Sequence, residues 1–68
     1  MQELQIAVIE LDEFEALRLC DLESLDQKTA GRQMGISRGT IQRLADSGRK
    51  KLVNALVSGH AIKIASKE

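Results

Sequence analysis

The chain has 68 residues, a hydrophobic fraction of 43%, a charged fraction of 29% and a formal net charge of zero. A chain this short makes one domain over residues 1–68, and a core of that size supplies only about 3–5 kcal/mol, so a further stabilising element is expected. Cys20 is the only cysteine, which excludes an internal disulfide, and with His60 the only histidine no zinc-ligand spacing exists, so self-association is the expected aid.

The neutral total hides a division. Residues 1–26 carry eight carboxylates against Arg18, a balance of −7, and residues 27–68 carry +7. Either one face meets a polyanion while the other is turned away, or the two halves neutralise each other in the fold. No apolar run approaches the ~18 residues of a membrane span, and no signal peptide is visible, so a cytoplasmic protein with no membrane partner is expected.

Residues 4–10, within LQIAVIEL, are rich in β-branched side chains and lack helical period, which predicts a strand. Asp12, with Glu15 three residues on, has the pattern of a capping box. A first helix is expected over 13–21, with Phe14, Leu17 and Cys20 turned inward. Asp26 is placed to cap a second helix over 27–34, and Gly35 suits the left-handed position that ends it. Ser37 then caps a third helix over 38–58. On it Ile41, Leu44, Ala45, Gly48, Leu52, Ala55 and Leu56 recur as one apolar stripe, and Gly59 stops the helix. Ile62 and Ile64 alternate with Lys63, predicting a second strand over 61–65. The two strands are expected to pair antiparallel into a ribbon, which is too small to stand alone and must lean on another surface. The expected fold is mainly α: a three-helix cluster plus this ribbon from the chain termini.

The break at Gly35-Ile36-Ser37 carries the functional reading. Two helices joined by a short turn containing glycine make a helix-turn-helix, whose second helix enters the DNA major groove. Ala30 and Gly31 keep the second helix slim where the third crosses it, and Ile36, Ile41 and Leu44 fill the space between them. Ser37, Arg38, Gly39, Gln42 and Arg43 then point outward and are the expected base-reading residues. Arginine matches guanine bidentately, glutamine matches adenine, and glycine lets the backbone come close. Lys28, Arg32, Thr40, Arg49 and Lys50 are the expected phosphate contacts.

Residues 10–64, with their acidic DEFEALRL helix, MGISRGTIQRL centre and RKKL continuation, resemble a family of small, mostly uncharacterised prokaryotic DNA-binding proteins. The helix-turn-helix of that family is similar to region 4 of bacterial sigma factors. The resemblance implies sequence-specific binding to double-stranded DNA and a role in transcription regulation. Gly31 stands where such motifs usually carry alanine, at a cost of up to ~1 kcal/mol in helix propensity.

Other readings find less in the sequence. There is no Gly-rich phosphate loop, nucleophile elbow or catalytic constellation, so neither an enzyme nor a cofactor is expected. The alternative is a helix-turn-helix module that contacts RNA polymerase or a regulatory partner without reading bases. Val53 and Val57 fall off the apolar stripe of the third helix. With Ile6, Val8, Ile62 and Ile64 of the strands they form the expected interface of a homodimer.

Overall fold

Ile6–Ile9 forms strand β1, the first element of a computed structural model that describes residues 5–65. Leu4, where the predicted strand begins, lies outside the described residues. The chain passes into helix α1 (Leu11–Leu17), widens into a single π turn (Arg18–Leu22), and continues through α2 (Gln27–Met34), α3 (Arg38–Ser58) and β2 (Ala61–Ile64). The fold is mainly helical, three helices with one small two-stranded sheet.

The strands pair parallel, not antiparallel as expected, with Ile6 opposite Ala61 and Ile9 opposite Ile64. The reason is topological. Antiparallel neighbours suit a tight hairpin, whereas strands joined through crossing helices return in the same direction. The amides of Ala61 and Ala65 donate to the carbonyls of Gln5 and Ile9, each at 2.9 Å. This register also divides the strand side chains. Ile9 is buried, so Ala7, Ile62 and Ile64 share its side of the sheet, while Ile6, Val8 and Lys63 take the other. Ile6 and Val8 thus lie on the opposite side of the sheet from Ile62 and Ile64.

Helix α1 begins earlier than Asp12. Glu10 occupies the N-cap, and the Glu13 carboxylate accepts from its amide at 2.9 Å, a role the sequence assigned to Asp12 and Glu15. Of the residues expected inward, Leu17 is buried, with Glu13 and Ala16 beside it, while Phe14 is exposed. Glu15 instead accepts from Arg18 at 2.9 Å. The π turn, closed by the Glu23 amide on the Arg18 carbonyl at 2.9 Å, carries Leu19 into the core with Cys20 half-buried beside it.

The core is Ala16, Leu17, Leu19, Ala30, Ile41 and Ala45, with Leu25, Met34, Ile36, Leu44 and Leu52 packed against it. Small residues let the helices close up: a Cβ on Gly48 would stand 2.9 Å from Leu17 Cδ1, so α1 crosses α3 there. Leu56, expected on the buried stripe, is 70% exposed. It lies about 100° round the helix from buried Ala55, on a side that no described residue covers.

Gly31 keeps α2 slim where α3 crosses it, as expected, and this close approach offsets its cost in helix propensity. A Cβ there would stand 2.7 Å from the Ile36 carbonyl oxygen, which is backbone and has little room to move. Overpacking of this kind costs about 1–3 kcal/mol, against about 1 kcal/mol gained in helix propensity. Gly31→Ala should therefore lose up to roughly 2 kcal/mol, read as a lower melting temperature.

Candidate nucleic-acid interface

Two capped helices and the turn between them build the candidate site. Asp26 starts α2 by accepting from the Thr29 amide at 2.7 Å. Gly35, at φ 72°, ends it in the left-handed region where a Cβ is penalised, and the Ile36 amide returns to the Gly31 carbonyl at 2.9 Å. Ser37 starts α3 by accepting from the Thr40 amide at 3.2 Å, and the two hydroxyls lie 2.9 Å apart. Thr40, expected at a phosphate, is thus engaged in the cap. Ile36 packs on the core and Ile41 is fully buried within it, so the first turns of α3 are held in one direction against α2.

That direction leaves Ser37, Arg38, Gly39, Gln42 and Arg43 all exposed, together with Lys28 and Arg32 on α2. The bonds that hold Asp26 below the usual carboxylate range come from Thr29, with a smaller contribution from the nearby charges of Lys28 and Arg38. Those two cations, on different helices, therefore both lie near the Asp26 carboxylate.

The basic residues fall into two groups. Arg49 donates to Asp21 at 3.0 and 2.9 Å and to Asp46 at 3.1 Å, and Lys51 donates to Glu13 at 2.9 Å. The pairs to Asp21 and Glu13 tie the acidic half of the sequence to the basic half, so part of the charge division is neutralised inside the fold. Arg49, expected at a phosphate, is held by carboxylates; its hydrogen bond lowers the pKa of Asp21. Among the described residues, Lys28, Arg32, Arg38, Arg43, Lys50 and Lys63 take part in no ion pair. Four of those six stand on α2 and the opening of α3. Cations outside any ion pair therefore gather on α2 and the start of α3, with the Asp26 carboxylate near Lys28 and Arg38.

Glu13 is the buried charged side chain that sequence reasoning missed. Burial pushes its carboxyl up, but bonds from the Ser47 hydroxyl, the Lys51 ammonium and the Glu10 amide outweigh burial and hold it below its ordinary value. Nothing in the spacing separates Glu13 from Asp12 or Glu15 until the start of α1 is known. Among the described residues, no group of three or more His, Cys, Asp or Glu side chains could hold a metal. No helix among them is long and apolar enough to cross a membrane.

Fold and surface together define a small, mainly helical protein with exposed cations concentrated on two successive helices. The chain belongs to the family described as "Protein of unknown function DUF134", whose family model matches residues 2–68. Similar proteins occur in archaea and bacteria. A UPF0251 protein of Pyrococcus horikoshii is 53% identical over 55 residues, covering 81% of this chain and 50% of that protein. A UPF0251 protein of Pyrococcus furiosus is 51% identical over 55 residues, covering 81% of this chain and 51% of that protein. One of Clostridium botulinum is 46% identical over 63 residues, covering 93% of this chain and 40% of that protein. The chain thus spans about half the length of these curated relatives, or less. No solved structure matches it.

Proposed function

We propose that this chain binds double-stranded DNA with sequence preference, through a helix-turn-helix formed by α2 and α3 and similar to sigma region 4, and that it acts in transcription regulation. The observation that carries the reading is the sorting of cations. Arg49 is held by Asp21 and Asp46 and Lys51 by Glu13, while Lys28, Arg32, Arg38 and Arg43, on α2 and the start of α3, make no ion pair among the described residues. Arg38, Gln42 and Arg43 read base edges in the major groove, and Ser37 and Gly39 keep the helix start slender enough to enter it. Lys28, Arg32 and Lys50 hold phosphates and fix the register on the duplex.

Selection of bound duplexes from a random pool should return a preferred site, with binding that weakens steeply as salt rises. On that site Arg43→Ala should cost about 1–3 kcal/mol and relax preference at one base pair, whereas Lys28→Ala should weaken all duplexes alike. Equal losses on preferred and random DNA would remove Arg43 from base reading. A module that only contacts RNA polymerase or another protein would yield neither a preferred site nor a salt slope.

A further inference from the structure

The fold leaves a second surface uncovered, apart from the α2–α3 turn. A groove of about 380 Å³ opens between α1, the π turn and α3, floored by Phe14, Leu17, Leu22 and Leu52. Arg49 and Leu52 on its α3 wall are followed at helical spacing by Val53 and Leu56, so the groove runs on into an open apolar stripe. Val57 lies beside that stripe. Leu22, Leu56 and Val57 are 76%, 70% and 82% exposed, a concentration that marks a contact surface in a domain this small.

We propose that a second copy of this chain covers it, each copy laying the Lys50–Val53–Val57 ridge of α3 into the groove of the other. Lys50, Val53 and Val57 stand at i, i+3 and i+7 and so share one side of the helix. Charge selects this occupant. Arg18, Asp21 and Arg49 line the groove, and each arginine is bound by two carboxylates: Arg18 by Glu15 and Glu23, and Arg49 by Asp21 and Asp46. Each trio keeps a net negative charge, and the ridge ends in an exposed lysine with no ion pair among the described residues. Ridge and groove are neighbours on the same helix, so one two-fold axis buries both at once. The added apolar contact also supplies what a core of about this size lacks. Val53 and Val57 are kept from the interface expected on sequence grounds, and the sheet residues Ile6, Val8, Ile62 and Ile64 have no part in it.

Sedimentation equilibrium across the micromolar range should give twice the 7.5 kDa chain mass. Val57→Glu on the ridge brings a carboxylate against the other copy's carboxylates, and Leu22→Glu on the groove puts a charge where the apolar contact has to form. Each should weaken the dimer roughly tenfold or more while leaving the helical circular dichroism intact, because both positions are exposed in the single chain. A monomeric wild type, or a dimer that either variant leaves untouched, would overturn the assignment.

Discussion

Replacing Ile41 by alanine should cost about 2–5 kcal/mol, a large part of the stability available to so small a domain. Ile41 and Ile9 are the largest side chains with no appreciable exposure, and only Ile41 belongs to the cluster that joins all three helices. Its Cγ1 would lie 3.4 Å from a Cβ built on Gly31, so it fills the contact between α2 and α3 directly behind the turn. Truncation there leaves a cavity that the short turn has little freedom to collapse, and the lost volume adds to the lost transfer energy. Leu44 and Leu52, which the sequence placed on the same stripe, are only half-buried and pack at the edge of the cluster. Their alanine variants should lose less, because part of each side chain is already hydrated. Urea titration of the three variants orders them: Ile41 largest, with Leu44 and Leu52 behind it. An Ile41→Ala protein with an unchanged midpoint would contradict the packing described.

The parts of the fold legible in the sequence are those with local signals. Asp26, Gly35, Ser37 and Gly59 each act through bonds or backbone angles within a few residues, and α2 and α3 begin and end where those residues stand. The start of α1 was ambiguous because Glu10, Asp12, Glu13 and Glu15 offer several acidic caps in one turn, and spacing alone does not choose among them. Which side faces the core was a separate, non-local matter: Glu13 turns inward where Ser47, Lys51 and Gly48 of α3 receive it. Strand direction was not local at all. Residues 10–60 separate β1 from β2, and the sense of pairing depends on where α3 delivers the chain, which is a property of helix packing. Gly31 illustrates a third limit: propensity scored the glycine as a defect, yet the reason for it is the Ile36 carbonyl arriving from the turn. At the candidate site, the outward set from Ser37 to Arg43 followed from helical period. Which of the cations were already paired did not, since Asp21 and Arg49 meet only once the helices cross.

The pairing of Glu13 should make the domain acid-sensitive in a way that depends on Lys51. The side chain of Glu13 is 7% exposed, and it receives bonds from Ser47, Lys51 and the Glu10 amide. Those bonds hold its folded pKa below the ordinary 4.5, so its contribution to stability is complete above that value and is lost as pH falls through the lower folded value. Lys51→Met keeps the aliphatic stem and removes the ammonium. The buried carboxylate is then less well satisfied, and a charged hydrogen bond of this kind contributes about 1.5–3 kcal/mol. Because the Lys51 side chain is 38% exposed, water already screens part of that, and a loss near the lower end, about 1–2 kcal/mol, is expected at neutral pH. With the lysine gone, burial is opposed by Ser47 and the Glu10 amide alone, so the Glu13 carboxyl should titrate at a higher pH than in the wild type. Acid destabilisation of the variant should begin correspondingly earlier as pH falls. Carboxyl NMR of Glu13 through the acid range measures the shift directly, free of the separate contributions of Asp21 and Asp26, whose pKa values are also lowered. An unchanged Glu13 titration in Lys51→Met would mean that the ammonium adds nothing to the bonds from Ser47 and Glu10. Stability near neutrality would then be the same with either residue at position 51.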